Sequence, residues 1–248
     1  DTTEWTKCEV LNSEKNSIIL LTGDSMSRSL IPLARKFFDL DNFDFITYSE
    51  TGTLSPPIRF ITRNQNIKAK YKQIENQKTY LNDAIDYVQN NKYKNKYLWI
   101  FNDMNFYFYG REWQKKENLF VDDDDNKIKP IIAFDNWLAN LEKLTNIASE
   151  KNIKILYFGS LPSIQNGYEV VCAKNSQSKL KTINNMCKDN VIKRRSSIQG
   201  KFIGENLENK IKNLENYHKN FIYIDTAKTF CSDLNDCEIY EKGKLYMS

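Results

Sequence analysis

Residues 17–30 read SIILLTGDSMSRSL, and this stretch decides the fold. The apolar run Ile18–Leu21 has the length of a buried strand and is too short for a helix. It ends at the polar turn Thr22–Ser25, and a helical spacing of apolar residues follows, at Leu30, Leu33, Ala34 and Phe37. A strand, a tight turn and a helix in this order place one small polar side chain at the carboxyl end of a sheet, where open α/β folds bind their ligands.

Ser25 is the side chain that this turn presents. At the start of a helix, unpaired backbone N–H groups and the positive end of the helix dipole favour an anion nearby. A serine in this place can act as a nucleophile whose own N–H helps to hold an oxyanion. The simpler interpretation is that Asp24 or Ser25 is a helix N-cap, a role that both residue types prefer. The Gly-Asp-Ser tripeptide alone leaves both interpretations open.

Strand and helix patterns alternate along the rest of the chain. Further strands are predicted at residues 42–49, 97–101, 153–158 and 221–224, and helices at 69–90, 134–147 and 204–218. This alternation predicts an α/β fold, a parallel sheet with helices on both faces. A length of 248 residues suffices for one such domain over residues 1–248, in which we interpret residues 1–16 as a loosely packed lead-in.

Three polar features directly follow the first three predicted strands. They are Ser25, Gly52 in the loop of residues 51–57, and the pair Asn102-Asp103. Asn102-Asp103 is by itself equally well a cap for the next turn or part of a site. Because the carboxyl ends of parallel strands share one edge of the sheet, the three features together favour a site there.

Residues 105–130 are rich in aromatic and then acidic side chains. The aromatic residues fit buried packing, with a sugar-binding face as the alternative. The run Asp122–Asp125 predicts an exposed loop because adjacent carboxylates repel one another, and it lacks the alternating ligands of an EF-hand calcium loop. The polar residues 167–200 fit an insertion folded over the site.

Composition argues against several classes of partner. There are 36 basic and 32 acidic residues, and a net charge of +4 is too small to indicate nucleic acid. No apolar stretch approaches the roughly 20 residues that cross a bilayer, so we expect this segment to be soluble, whether alone or within a longer membrane protein. Five cysteines without a Cys-x-x-Cys pair and a single histidine, His218, make a structural metal unexpected.

Three short motifs resemble the SGNH (GDSL-like) hydrolase superfamily. Gly23-Asp24-Ser25 is similar to its first block, Gly52 to its second, and residues 100–103 to its third, normally Gly-x-Asn-Asp, from which Ile100 departs. The resemblance implies a flavodoxin-like three-layer sandwich with a five-stranded parallel sheet. It also implies that Ser25 is the nucleophile, and that the Ser25 and Gly52 N–H groups and the Asn102 amide form an oxyanion hole.

The end of the chain resembles a narrower group, the SGNH domains fused behind acyltransferase-3 membrane domains. In that group a Cys pair and a Tyr-containing strand directly precede an Asp-x-x-His motif, which carries the catalytic His. Cys231, Cys237 and residues 243–248 resemble that pair and strand, and the motif would begin just past Ser248, so we expect residues 1–248 to lack the acid–base dyad. Residues 52–57 likewise resemble the group's Gly-Cys-Pro-Pro, with Ser55 where a Cys is common. The resemblance implies a Cys231–Cys237 disulfide and hence an oxidising, periplasmic or otherwise extracytoplasmic location, tethered to the inner membrane. Cys172 with Cys187 is a second candidate pair, and Cys8 is left over.

This resemblance implies O-acetylation of a bacterial surface glycan, such as O-antigen, lipooligosaccharide, capsule or peptidoglycan. The membrane domain would take acetyl from acetyl-CoA, and this domain, with no cofactor of its own, would pass it through acyl-Ser25 to a glycan hydroxyl. An SGNH esterase that removes acetyl groups, and a non-catalytic glycan-binding module without its Asp-His dyad, are the alternatives. His218 precedes the fifth strand, so we expect it at the opposite edge of the sheet and not as the catalytic base.

Overall fold

The alternation of strands and helices in the sequence is realised as one central sheet with helices packed on it. The computed structural model describes residues 6–10, 15–24, 27, 30, 43–49, 53–62, 67–90, 93–102, 104, 107–108, 118–122, 124–160, 203–226, 231–233, 236–237, 240–241 and 244–245.

The strands in chain order are β1 (Thr6–Val10), β2 (Ser17–Gly23), β3 (Phe43–Ser49), β4 (Phe60–Thr62), β5 (Asn95–Phe101), β6 (Asn118–Val121), β7 (Lys127–Ile128), β8 (Lys154–Phe158), β9 (Phe221–Ile224), β10 (Cys231–Asp233), β11 (Asp236–Cys237), β12 (Tyr240–Glu241) and β13 (Lys244–Leu245). The helices are α1 (Ile67–Asn90), α2 (Pro130–Glu150) and α3 (Ile203–Lys212), and a 3₁₀ turn, Asn213–Asn216, continues α3. The helix predicted for residues 204–218 therefore ends earlier than expected.

The central sheet has the strand order β1-β3-β2-β5-β8-β9. The strands β3, β2, β5, β8 and β9 are parallel. Counted along the chain among themselves, these five strands stand in the order 2-1-3-4-5, which is the flavodoxin-like order of doubly wound sheets. The predicted α/β fold with a five-stranded parallel sheet is confirmed.

The sheet has a sixth strand that the sequence analysis missed. β1 pairs antiparallel with β3, from Thr6 opposite Ser49 to Val10 opposite Phe45. The prediction of a loosely packed lead-in is therefore wrong for residues 6–10. The segment carries charged residues at alternate positions and no apolar run. An edge strand needs no such run, because backbone hydrogen bonds on one side hold it in the sheet.

Two apolar clusters lie on the two faces of the sheet, because successive strand residues point to opposite sides. Ile18 and Leu20 of β2 belong to the larger cluster, which includes apolar residues from all three helices α1, α2 and α3. Ile19 and Leu21 belong to the cluster on the other face, where Leu30 packs with residues of β3, β5 and β8. The helical layer predicted on that face lies, apart from Leu30, outside the described residues.

A small antiparallel sheet, β4-β6-β7, forms from residues that precede α1 and α2. None of the helices in the described ranges combines the length and the apolar character needed to cross a membrane. Residues 167–200, for which an insertion is predicted, lie outside those ranges.

The C-terminal residues form two short hairpins, β10-β11 and β12-β13. Cys231 stands directly opposite Cys237 in the first of them. Residues opposite each other in an antiparallel pair have Cα atoms about 4.5–5.5 Å apart, which is within the range that a disulfide spans. The disulfide itself stays a prediction, and the candidate partners Cys172 and Cys187 lie outside the described residues.

We expect Cys231 and Cys237 to be linked in protein produced in an oxidising compartment. Mass spectrometry of unreduced proteolytic peptides should find the two residues in one linked species. Cys231→Ser should lower the free energy of unfolding by about 2 kcal/mol, because it opens a short covalent loop. Cys8→Ser is the matched control and should leave the linked peptide in place. Free thiols at both hairpin positions would contradict the pairing.

Candidate active site

The parallel sheet reverses its strand order between β2 and β5. Ligands of open α/β sheets bind outside the carboxyl ends of the strands at such a switch point. β2 ends there at Gly23, opposite Phe101 at the end of β5. Asp24 directly follows β2 and Asn102 directly follows β5, and both residues are buried. The switch point therefore brings the first and third predicted motifs to one place.

Gly23 lets the turn after β2 approach β5 closely. Its φ of 147° is one that residues with a side chain rarely adopt. A Cβ atom at this position would lie 1.8 Å from the Phe101 carbonyl oxygen and 2.9 Å from the Ser27 Cβ. The Gly-Asp-Ser motif therefore requires glycine at position 23 for steric reasons, because any side chain here would push the turn away from the end of β5.

Asp24 and Ser27, the described residues on either side of positions 25 and 26, are hydrogen-bonded to each other. The Ser27 N–H donates to the Asp24 carbonyl oxygen at 3.1 Å, and the Ser27 hydroxyl donates to the same oxygen at 2.8 Å. Ser27 is fully buried. Ser25 and Gly52 themselves lie outside the described residues, so the nucleophile, the N-cap alternative and two of the three oxyanion donors remain predictions.

Asn102 binds the loop that follows β3. Its Oδ1 accepts the Ser55 N–H at 2.9 Å, and its Nδ2 donates to the Ser55 carbonyl oxygen at 2.8 Å. The Ser55 hydroxyl lies 3.0 Å from the Thr22 hydroxyl, so the loop is also bonded to β2. The two hydrogen bonds between Asn102 and Ser55, the Asn102 clasp, use one of the two N–H groups of the amide. The amide also lies beside the buried Tyr157 hydroxyl: burial raises the pKa of Tyr157, and the Asn102 amide acts in the opposite direction.

The loop after β3 is held from a second side by Lys70, to which the sequence analysis assigned no role. Lys70 lies near the start of α1 and is only 1% exposed. Its Nζ donates to the Thr53 hydroxyl at 3.0 Å. Burying an ammonium group costs several kcal/mol unless the group is well bonded. In sequence, a lysine within a charged amphipathic helix is indistinguishable from a solvated one, and no pattern signals its burial.

A second polar cluster, in which Ser160 is buried and Glu208 and Tyr223 are partly buried, lies at the carboxyl ends of β8 and β9, and no sequence pattern predicted it. Glu208 of α3 accepts hydrogen bonds from the Ser160 N–H at 3.1 Å and the Ser160 hydroxyl at 2.5 Å. Its other carboxylate oxygen accepts the Tyr223 hydroxyl at 2.5 Å. Gly159 makes room, because a Cβ there would lie 2.3 Å from the Tyr223 hydroxyl.

The titration of this cluster reflects its burial. Burial raises the pKa of the Glu208 carboxyl, although the hydrogen bonds from Ser160 and Tyr223 act in the opposite direction. Burial, followed by the neighbouring Glu208 charge, also raises the pKa of Tyr223. The cluster ties α3 to the last two strands of the sheet, on the far side of β5 from the Gly23 turn.

His218 lies at the other edge of the sheet, as the sequence predicted. Its carbonyl oxygen accepts the N–H of Phe221, the first residue of β9, at 3.0 Å, so it stands at the amino end of that strand. Its Nε2 is 3.6 Å from the Glu142 carboxylate on α2. Asn102 and the Gly23 turn are at the carboxyl edge, and His218 is therefore separated from them by the length of the sheet.

The aromatic residues after β5 that are described are packed inside. Tyr107 and Phe108 are buried, and the Phe108 ring stacks on Phe120 with centroids 5.1 Å apart. For these two rings the interpretation as buried packing holds. Phe106, Tyr109 and Trp113, which the sugar-binding alternative also involves, lie outside the described residues.

The acidic run forms the exposed loop that was predicted, since Asp124 and Asp125 are exposed. The Asp122 carboxylate accepts the N–H groups of Asn126 and Asp124 at 2.8 and 3.0 Å. The backbone hydrogen bond from Asn126 is the main reason that the pKa of Asp122 is lowered. Across the described ranges, no three His, Cys, Asp or Glu side chains converge in a way that could hold a metal ion.

Comparison of the sequence with curated proteins gives no match. A family model described as "SGNH domain (fused to AT3 domains)", where AT3 denotes acyltransferase-3, matches residues 1–248. The switch-point geometry and the flavodoxin-like strand order agree with this match, and the chain belongs to the family of SGNH domains that are fused to AT3 domains.

Proposed function

We propose that this domain transfers an acetyl group through an acyl-serine at Ser25 to a hydroxyl of a bacterial surface glycan. The observation that carries the proposal is the joining of two family motifs at the switch point. The Gly23 turn packs on the end of β5, and Asn102 at that end binds the loop after β3. Membership in a family fused to AT3 domains supports an acyltransferase or esterase chemistry.

In the first step, the Ser25 hydroxyl oxygen attacks the acetyl carbonyl while a base accepts its proton. The resulting oxyanion would be held by the N–H groups of Ser25 and Gly52 and by the second N–H of the Asn102 amide. Collapse of the tetrahedral intermediate expels the donor's leaving group, which takes up the proton, and leaves acetyl-Ser25.

In the second step, a glycan hydroxyl attacks acetyl-Ser25 while the base removes its proton, and Ser25 is released. Water in place of the glycan would make the same residues an esterase. The base is not His218, because His218 lies at the opposite edge of the sheet. The resemblance implies the histidine of an Asp-x-x-His motif, and residues 1–248 contain no such motif.

The proposed partner is an AT3 membrane domain that receives acetyl from acetyl-CoA and presents it outside the cytoplasm. This domain would lie in the periplasm or another extracytoplasmic space, where a Cys231–Cys237 disulfide can form. The opposition of Cys231 and Cys237 in the β10-β11 hairpin supports that location. The buried ammonium of Lys70, bonded to the residue after Gly52, supports a site that stabilises negative charge.

Ser25→Ala should lower acetyl-ester turnover by a factor on the order of 10³ or more, because it removes the nucleophile. The fold should persist, since a lost helix cap costs only about 1 kcal/mol. Turnover is measured with a chromogenic acetyl ester in membranes that contain the domain and its AT3 partner. Ser17→Ala, at the other end of the strand that leads to Ser25, is the matched control and should retain turnover. Full turnover in Ser25→Ala would remove Ser25 from the mechanism.

Asn102→Ala should lower both stability and turnover. It leaves the buried Ser55 N–H and carbonyl without their partner, at a cost of about 2 kcal/mol or more in the free energy of unfolding. Loss of an oxyanion donor should also reduce turnover by about 10²- to 10³-fold, measured well below the melting temperature. Ser55→Ala keeps this clasp and loses only the contact with Thr22, so it should retain turnover. Equal turnover in the two variants would leave Asn102 a purely structural role.

His218→Ala should leave acetyl-ester turnover unchanged within about twofold, because a general base must lie within hydrogen-bond reach of the proton that it moves. Glu142→Gln removes the carboxylate beside His218 and should also leave acetyl-ester turnover unchanged. The rates of both variants are compared with the unsubstituted protein at one pH. Abolished turnover in His218→Ala would require the site to be moved to the amino edge of the sheet.

A further inference from the structure

A groove of about 640 Å³ lies between α1 and α2. Its lining also includes residues 56–59, the continuation of the loop that Asn102 holds, and residues of β6 and β7. All the residues that line the groove belong to the described part of the chain. Nothing in the catalytic chemistry proposed above uses them.

The walls of the groove carry side chains that can bond to hydroxyl groups. α1 contributes Lys78 and Asn82, and α2 contributes Asn136, Asn140 and Lys143. Their spacings of three and four residues place the members of each set on one face of their helix. An amide both donates and accepts hydrogen bonds, as a sugar hydroxyl does, and an ammonium donates three.

A ligand can reach these five side chains, because Asn140 is half-buried and the other four are exposed. Within the described ranges none of them makes a hydrogen bond or an ion pair. Other polar side chains of the same two helices are engaged, since Asp86 binds Lys151 at 2.7 Å and Asp135 binds Lys210 at 2.8 Å. Arg59 and Asp122, which also line the groove, are bonded to Asp125 and to Asn126, whereas the five side chains named above have no partner within the described ranges.

The floor of the groove is apolar and shallow. Ile74 and Leu81 of α1 and Leu144 of α2 line it, and all three are buried. Such a floor fits the C–H faces of sugar rings, whereas a peptide helix docks its apolar face into a hydrophobic groove, and the walls here carry three amides and the charged residues Arg59, Glu75, Lys78, Asp122 and Lys143. The unpaired groups on the walls therefore favour an oligosaccharide over a protein segment.

The groove leads to the proposed reaction edge. Ser55 is bonded to Asn102 and Thr22 at that edge, and Pro57 lines the groove. Only Pro56 separates Ser55 from Pro57, so their Cα atoms are within about 7 Å of each other. A sugar chain that lies in the groove can place its next residue at the carboxyl edge of β2 and β5.

We propose that the groove between α1 and α2 binds the sugar chain of the acceptor, with Asn82, Asn136 and Asn140 bonded to its hydroxyl groups. This inference rests on the proposed function, since it assumes that the acceptor is a glycan. Binding in the groove adds affinity for the acceptor and takes no part in the acetylation of Ser25.

The direct test is titration of the 248-residue protein, observed by NMR at the side-chain amides. The probe is the oligosaccharide released by mild acid from the surface polysaccharide of the cells that make the protein, after removal of its acetyl groups. The amide signals of Asn82, Asn136 and Asn140 should shift saturably. Asn146, on α2 but outside the groove, is the matched control and should not shift. Unshifted groove amides, or equal shifts at Asn146, would overturn the proposal.

The kinetic test uses membranes that contain the domain and its AT3 partner. Asn140→Ala and Lys78→Ala should each raise the KM for the same oligosaccharide about 3- to 10-fold, the value of one lost hydrogen bond. Asn146→Ala and Lys72→Ala, on the same helices outside the groove, should leave it unchanged. The rate at which a small acetyl ester acylates Ser25 should be the same in all four variants.

The two tests separate this inference from the proposed function. If the KM is unchanged in both groove variants while Ser25 is still acylated, the groove does not bind the acceptor, and the proposed function is unaffected. Groove variants that slow acylation as much as transfer would overturn this inference too, because the groove would then contact the AT3 domain. If Ser25→Ala leaves acetyl-ester turnover unchanged, the proposed function fails. Saturable shifts of the groove amides would still show an oligosaccharide site.

Discussion

The hydrogen bonds between the Asn102 amide and the backbone of Ser55 are the interaction on which the rest of the site depends. One side chain satisfies both the N–H and the carbonyl of a fully buried residue. Without it, two backbone groups would be buried without partners, which is costly in a low-dielectric interior. The clasp therefore fixes where the loop after β3 lies relative to the end of β5. Thr22 and Lys70 then fix the same loop against β2 and α1.

Buried polar side chains are concentrated at the carboxyl edge of the sheet. Thr22, Asp24, Thr53, Lys70 and Asn102 are all buried around the switch point, and Ser160 is buried further along the same edge. Buried polar groups contribute little to net stability, and each one is costly when a partner is lost. The large apolar cluster under α1, α2 and α3 offsets that cost. The amino edge buries polar side chains as well, Ser17 and Asp44, but fewer of them than the carboxyl edge.

The parts of the fold that the sequence predicted are those with strong periodicity. The buried parallel strands are nearly continuous apolar runs, and α2 has a clear apolar stripe, so both were found in place. β1 was missed because an edge strand is held by its backbone, and its sequence is mostly polar. Lys70 and Glu208 were missed for a related reason. Whether a charged side chain is solvated or buried depends on the elements that pack around it, and no local pattern of residues records that.

The same reasoning explains why the sequence located the edge of the site better than its individual donors. A polar residue after a parallel strand must lie at the carboxyl edge, whatever its role, because strand direction alone dictates the edge. The role of such a residue depends on the hydrogen bonds of its side chain. Those of Asn102 bind it to Ser55 and use one of the two N–H groups of its amide. In the proposed mechanism Asn102 would contribute twice, as an oxyanion donor and through the loop that it holds. Its two contributions can be separated only by comparing it with a variant such as Ser55→Ala, in which the loop stays clasped.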